Sequence, residues 1–542
     1  MKLLRLFNTI KYLKFEQVYY RIYYKLIKVK VQSCTASGAR EWAWSGPTQN
    51  HQSIFSKTDV KFLNEQGCVK SVSDWNSPSF SKLWLYNLHY FDDLNSYSYS
   101  KREVIHSSFI DRWIQENPPC LGNGWEPYPL SLRIVNWVKW FSRKEFIKTE
   151  WLDSLLQQCD ALSQQLEYHI LGNHLFANAK ALTFAGCYLS GHQAEKYLHI
   201  GIEILEKEIS EQFLDDGAHF ELSPMYHEIL LWDLLELIDL AETSQRVEML
   251  SRLPAWKSKA SKALTWLNTM SHPDGEISFF NDAAIGIAPE PKKLYDYASK
   301  LGLDWLSHLP LLSTNKNSGY SRVQFESYSL VYDHANVGPD YLPGHAHADT
   351  LSFELSMGKQ RVFVNSGTSL YGASAERIRQ RQTAAHNTVT VLGCDSSQVW
   401  SGFRVAKRAY AKLEKSIGST GNVQLVASHN GYLQQSPKVK HTRELLCSPD
   451  SVIVSDMLSK QLPACFHLHL HPDVDVIKLS EKELKMTKDD EVLCLISSAE
   501  PINIKDSTWH PEFGKSIANK KIEIEFANGN LRTEIKQIKR DS

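Results

Sequence analysis

From about residue 103 to 310 apolar positions recur with a helical period. Segments 103–116, 129–143, 150–170, 173–190, 194–212, 223–242 and 255–271 each carry an apolar stripe, with short Gly, Pro or Asp breaks between them. Helices in such succession predict antiparallel hairpins curled into a bundle or toroid. Past about Tyr320 the period drops to two. The alternating runs SYSLVYDH, TLSFELS, RVFVN, HNTVTVL, SVIVSDM and CFHLHLH, separated by turns, predict an antiparallel β-sandwich. The polar, unpatterned stretch STNKNSGY marks the change of regime near 312–320. Residues 31–100 combine SGP and NSP turn signals with the aromatic run LWLYNLHYFDDL, which predicts a segment pressed against a larger body. The chain is therefore expected to be an α+β multidomain protein: an N-terminal extension (1–100) packed on a helical domain (101–315), then a β-domain (316–542). At 542 residues it is too long for one ordinary core.

The strongest candidate chemistry lies in Gly344–Leu355, GHAHADTLSFEL. Alternation with period two along this strand puts His345, His347 and Asp349 on one face with Leu351, Phe353 and Leu355. Imidazoles two residues apart on a strand lie roughly 7 Å apart, close enough to share a site and too far to bond each other. Two neighbouring roles are predicted. The plain alternative is a pair of hydrogen-bonded core histidines, since polar groups on a core face need partners.

Charge and composition narrow the functions. Sixty basic and 61 acidic side chains give a net charge of -1, so nothing draws the whole molecule to nucleic acid or to an anionic membrane, and a polyanion must be met by a local basic cleft. An aromatic content of 11%, with 15 Trp and 23 Tyr, suits sugar stacking but also large cores. Nine cysteines, odd in number and without a CxxC pair, argue against a disulfide framework and a thiolate zinc site. Lys or Arg interrupts the N-terminal apolar residues every few positions, so neither a signal peptide nor a membrane span is predicted, and a cytoplasmic or inner-membrane-associated place is expected. Residues 2–30 hold eight basic side chains against the single acid Glu16. They read as an amphipathic helix, either lying on a membrane or partner or packed on the first domain with a solvated face. Phosphate-binding glycine loops and GxSxG elbows do not occur.

Four further stretches carry candidate groups. In LEYHILGNHLFANAKALTFAG, Gly172 breaks one helix and Asn173 and His174 open the next, where free N–H groups and the helix dipole favour an anion; a plain cap with a surface histidine is the simpler alternative. In DDGAHFELSPMYHEILLWDLLEL, Ser223 and Pro224 start a helix whose first turn holds Tyr226. That phenol, with an ordinary pKa of about 10, either moves a proton with help from its surroundings or is simply a buried, hydrogen-bonded tyrosine. In GWEPYPLSLRIVNWVKWF, Trp125 offers a stacking face and Arg133 a carboxylate fork. In NSGTSLYGASAERIRQRQTAAHNTVTVL, Arg377, Arg379 and Arg381 precede His386 and supply local positive charge. His467, His469 and His471 share a face in FHLHLHP and are taken as structural.

GNHL, SPMYH, GHAHAD, VNSGT and TAAHNTV, in this order over roughly residues 100–400, together resemble the heparinase II/III-like family of polysaccharide lyases. The resemblance implies an incomplete (α/α) toroid followed by an antiparallel β-sandwich, and cleavage of uronic-acid polysaccharides by β-elimination. It implies that Asn173 neutralises the uronate carboxylate and that His174 and Tyr226 transfer protons, with His345 beside them, while Trp125, Arg133, Arg377 and Arg381 are expected around the acidic polysaccharide. It also implies a zinc site in the sandwich at His347, Asn365 and His386. Asn365 stands where the family has Asp, and a neutral amide oxygen is a poorer zinc ligand than a carboxylate, so the site is expected to be weak; Asp349 is the nearby acid that could support it. Two rival functions remain. A glycoside hydrolase on an (α/α) scaffold would need two flanking carboxylates, for which Glu126, Glu221, Asp282 and Asp349 are the candidates. A non-catalytic polysaccharide-binding or assembly factor would keep the cleft without turnover.

Overall fold

Local signals in the helical half place its elements. Ser223 accepts the Tyr226 N–H and Pro224 occupies the first turn, so a helix begins there and runs Pro224–Ser244. The computed structural model describes residues 2–31, 35–48, 50–419 and 421–538. Its main helices are Lys82–Tyr90, Glu103–Glu116, Pro127–Phe141, Thr149–Ser163, Gly172–Tyr188, His192–Gln212, Pro224–Ser244, Leu253–Met270 and Pro291–Lys300. Helices two apart in the chain pack on one another, Pro127–Phe141 on Gly172–Tyr188 and Gly172–Tyr188 on Pro224–Ser244, and the set curls into an incomplete (α/α) toroid. The helix expected over 150–170 stops at Ser163, because Asn178 takes the Glu167 backbone N–H at 2.7 Å and the chain turns through positive φ at Leu171 and Gly172.

The aromatic run does not form a layer outside this core. Trp75, Trp84, Leu88 and Phe91 are buried in the same apolar cluster as Trp113, Trp137 and Trp140, so the helical domain takes in the aromatic run from its outset. Ahead of it, the short helices Lys2–Ile10 and Phe15–Leu26 form an arm on the surface. Among the described residues no helix is long and apolar enough to cross a membrane.

Among the described residues the β half holds three larger antiparallel sheets around one core, and a two-stranded ribbon pairs Val399–Trp400 with Arg404–Val405. Leu312–Asn315, Tyr320–Gln324, Tyr328–Asp333, Phe353–Met357 and Gln360–Phe363 form a meander in sequence order. A four-stranded sheet runs Ile502–Trp509, Ile517–Phe526, Ala464–His469, Val389–Val391 and meets the meander at the Phe363 to Leu470 bridge. An eight-stranded sheet, from Ala411–Ser419 at one edge to Asp475–Ser480 at the other, forms the opposite layer. His467 hydrogen bonds to Thr390 at 3.0 Å and His469 to the Ala384 carbonyl at 3.0 Å, so both fasten a strand to its surroundings.

The strand expected from Gly344 begins only at Phe353. Residues 344–352 instead fold as a loop with Leu351 at φ 68°, and the Asp349 carboxylate accepts the Asn281 N–H at 2.9 Å. Period two therefore describes the apolar end of GHAHADTLSFEL and not its polar end. The toroid meets the sandwich at this loop, through the chain that follows Met270: His272 bonds Glu354 at 2.8 Å and Ser356 at 2.7 Å, and Arg361 donates to the Ile277 carbonyl at 2.8 Å.

Candidate active site

Asp282, on the toroid side, is the hub. Its Oδ2 lies 2.9 Å from His345 Nδ1 and its Oδ1 lies 2.8 Å from His347 Nε2. The fully buried Arg377 guanidinium forks across both oxygens, and Thr368 donates to Oδ1 at 3.2 Å. Burial alone would raise this carboxyl, but Arg377 and the two imidazoles hold it well below the ordinary carboxylate range. An ionised Asp282 accepts from both rings, so His345 carries its proton on Nδ1 and His347 on Nε2, which leaves lone pairs on His345 Nε2 and His347 Nδ1. One acid thus sets two tautomers. His345 and His347 do share a side, because they bridge one carboxylate rather than alternate along a strand.

Tyr226 comes from the opposite wall. Its ring stacks on His345 with centroids 3.9 Å apart, and its hydroxyl lies 2.9 Å from that of Tyr371. Ser223, the cap that starts this helix, also donates to the Asp282 carbonyl, so the helix start and the hub are tied together. Burial, with Tyr371 alongside, pushes the Tyr226 phenol well above its ordinary value. It is therefore a neutral hydroxyl at rest.

Asn173 and His174 occupy the first turn of Gly172–Tyr188. Gly172 is required: its φ is 59°, and a Cβ there would stand 2.5 Å from Leu342 and 3.0 Å from Glu221. His174 Nδ1 bonds Glu167 at 2.9 Å and its ring lies against Tyr128, with centroids 4.4 Å apart. Burial would lower this imidazole, but Glu167 outweighs it and raises the pKa. The Asn173 side chain faces the Tyr128 hydroxyl, and its backbone N–H faces the buried Glu221. Glu221 Oε2 is 3.8 Å from His345 Nε2, Oε1 has no hydrogen-bond partner among the described residues, and burial pushes the acid upward. Glu221 therefore connects the Asn173 wall to the His345 wall.

Two family models cover most of the chain: the heparinase II/III N-terminus over residues 74–300 and the heparinase II/III-like C-terminal region over 309–538. The chain belongs to the heparinase II/III family. A heparin-sulfate lyase of Bacteroides thetaiotaomicron is 26% identical over 417 residues, covering 64% of this chain and 54% of that protein. The chain spans about half the length of the curated relatives it matches. A crystal structure of heparinase III superposes with a TM-score of 0.70 at 20% identity, over 88% of this chain and 80% of that one. A Streptomyces coelicolor chondroitin AC lyase, solved with chondroitin sulphate, shares the fold at a TM-score of 0.51 and 9% identity, over 85% and 75% of the two chains.

In this heparinase II/III family member the four side chains expected around the substrate are structural. Trp125 is buried against Trp113, with its N–H on the Asn117 carbonyl at 3.1 Å. Arg133 is fully buried, its guanidinium 3.8 Å from the Trp113 ring centroid and spent on Gln158, His89 and Gly124. Arg377 is committed to Asp282, and Arg381 holds the Ala346 carbonyl through Nε and Nη2, at 3.1 and 2.8 Å. Local sequence shows a charge but not its partner. Arg379 pairs with Glu376 and reaches Thr508. The residues that sequence reasoning missed as site members are Tyr371, Glu167 and Tyr128, and it considered Asp282 and Glu221 only as hydrolase acids. Tyr371 lies inside the NSGTSLYGAS stretch already singled out, and Phe403, 42% exposed beside His345 and Tyr371, had no signal.

The expected metal ligands come together in part. His347 Nδ1 and His386 Nε2 face each other at 3.2 Å, close to the ~3.3 Å separation that two imidazole nitrogens keep around one tetrahedral zinc. Burial lowers His347 to about 4 and His386 well below its ordinary value, so both rings are neutral at physiological pH, as ligands must be. Asn365 Oδ1 accepts the N–H of Asn387, the residue after His386, at 3.1 Å, and among the described residues its buried Nδ2 has no partner. Asp349 is turned away to Asn281, and among the described residues no three His, Cys, Asp or Glu side chains could hold a metal together. The two imidazoles thus present a pair of neutral nitrogens to each other, while the Asn365 amide oxygen is already engaged by Asn387.

Proposed function

We propose that this protein is a polysaccharide lyase that cleaves a uronic-acid polysaccharide by β-elimination, with a glycosaminoglycan of the heparan-sulfate kind as its first candidate substrate. The observation that carries the reading is the pairing of Tyr226 from the toroid with His345 from the sandwich, stacked at 3.9 Å and linked through Glu221 to the Asn173 and His174 wall. The similarity to heparin-sulfate lyases supports it.

In β-elimination the proton on C5, α to the carboxylate, leaves, the C4–O4 bond breaks, C4=C5 forms, and O4 of the departing sugar takes up a proton. An ionised carboxylate resists the added charge, so it must be neutralised first. Asn173 and His174 serve here: the first turn of a helix favours an anion, and Glu167 keeps His174 inclined to carry its proton. Glu221, pushed up by burial, lies between the Asn173 N–H and His345 and joins the two walls of the cleft. The base must then be a group with a free lone pair. Of the two residues expected to transfer protons, Tyr226 is a neutral phenol at rest and Glu167 raises the His174 pKa. His345 fits better: Nδ1–H is spent on Asp282, Nε2 is free, and the imidazolium formed by accepting the C5 proton is stabilised by Asp282. Tyr226 donates its proton to O4, and the stacked His345 returns one to it. Phe403 offers an exposed ring to a neighbouring sugar.

The carboxylates that a hydrolase would need do not pair across a bond. Asp282 is saturated by Arg377 and two imidazoles, Glu126 is bonded to Tyr86 and Lys82, and Asp349 is buried on Asn281. The test is incubation with heparan sulfate, heparin, chondroitin sulfate and alginate, monitored by ultraviolet absorbance of the unsaturated uronate. Rising absorbance with one polymer is expected. Cleavage without that chromophore, or no cleavage of any uronate polymer, overturns the reading.

A further inference from the structure

The N-terminal arm turns its apolar stripe away from the protein. Leu3, Phe7 and Ile10 in the first helix and Phe15, Ile22 and Leu26 in the second are all exposed, Leu3 by 83%, Phe15 by 84% and Leu26 by 78%. A helix on a soluble body normally buries such a stripe. Here the attachment is polar and aromatic instead. Gln17 is buried and donates to the Ile170 and Tyr341 carbonyls, both at 3.3 Å, and Lys14 pairs with Glu211. Tyr20 stacks on Tyr168 at 4.7 Å, Trp400 donates to Thr9 at 3.1 Å, and the Arg408 guanidinium sits 3.9 Å over the Tyr12 ring. The arm is thus fixed to both domains, and its outer surface has no partner among the described residues.

That surface is also cationic. Lys11, Arg21, Lys25, Lys28 and Lys30 flank the stripe, Arg404 of the sandwich approaches Arg21, and Glu16 is the only acid from residue 2 to 30. An apolar stripe with cationic flanks matches the interface between anionic headgroups and acyl chains. Attraction of this kind acts within about 8 Å at physiological salt, so the overall charge of -1 does not cancel it. A second copy of the chain would oppose like charges across the same face. We propose that residues 2–30 dock the protein on an anionic lipid bilayer, lying on it rather than spanning it. Gln17 joins the segment leading to Asn173 with the one leading to His345, so the docked arm also holds the cleft at a fixed orientation to the bilayer.

The test is co-sedimentation of the full chain with vesicles of phosphatidylcholine alone and of phosphatidylcholine with about one quarter phosphatidylglycerol. Two double variants are compared, Phe15→Asp/Ile22→Asp and Lys25→Glu/Lys28→Glu, with circular dichroism confirming that each is folded. Wild type should partition onto the anionic vesicles at least about tenfold better than onto neutral ones, and each variant should lose about tenfold or more. Wild type left in the supernatant with both vesicles overturns the proposal, as does a charge-reversed variant that binds anionic vesicles like wild type. If wild type ignores vesicles and Phe15→Asp/Ile22→Asp turns a dimer into a monomer by light scattering, the face belongs to a second copy and the proposal falls.

Discussion

At the scale of single residues, Tyr226 and Tyr371 share one hydrogen bond at 2.9 Å but stand differently toward the chemistry. Only Tyr226 stacks face to face on His345 at 3.9 Å; the Tyr371 ring lies 5.8 Å away and is tilted. Tyr226→Phe keeps the packed ring and removes one hydroxyl, so it should fold like wild type and lower kcat by about 10²-fold or more, with KM little changed. Tyr371→Phe should cost far less. Steady-state kinetics on the polymer that gives the unsaturated product compares them, and a Tyr226→Phe enzyme within about twofold of wild type removes this phenol from proton transfer. At the metal candidate the amide is the weak donor. Asn365→Asp should raise the zinc retained through purification without chelator, measured by elemental analysis, because a carboxylate joins two neutral imidazoles already 3.2 Å apart. No gain in zinc over wild type would mean that these three side chains do not form a site.

At the scale of elements, the segment 344–352 shows why helices and strands were legible and the site less so. Helix starts such as Ser223-Pro224 and breaks such as Gly172 are written in adjacent residues, and so were read within a few positions. The loop is shaped by partners far away in the chain: Arg381 on the Ala346 carbonyl, Asn281 on the His347 N–H, and Asp333 beside Asp349. No periodicity encodes those contacts, and for the same reason Arg377 was read as a cleft charge when it is a buried clamp. Burial pushes Asp349 up to about 6, and Asp333, with Asp349 beside it, higher still. Such acids stay protonated in the folded protein at a pH where the unfolded chain has released its proton. Stability must then fall as pH rises from about 4, the unfolded value, to about 6, and level off above it for Asp349. Asp349→Asn retains an acceptor for the Asn281 N–H and removes the titration. Thermal unfolding across pH 4–7 should therefore show a smaller loss for the variant, by at most about 3 kcal/mol. Parallel pH profiles for the two proteins would mean that Asp349 titrates normally.

At the scale of the whole molecule, the toroid contributes Asp282 while His345, His347 and Arg377 all come from the sandwich, so one buried carboxylate both joins the domains and sets the base. These two roles can be separated. Asp282→Asn leaves Arg377 buried opposite a neutral amide and should destabilise the protein by about 3–5 kcal/mol. It also removes the charge that fixes the His345 proton on Nδ1, so turnover should drop with it. Adding Arg377→Met eliminates the unpaired cation, and replacing a buried ion pair by well-packed apolar groups is often close to neutral, so the double variant should recover much of the lost stability. It should not recover turnover, because nothing then selects the tautomer that frees Nε2. Denaturant unfolding and initial rates on the same three proteins decide the matter: if activity returns together with stability in the double variant, Asp282 acts only as an interdomain tie, and His345 needs no acid behind it.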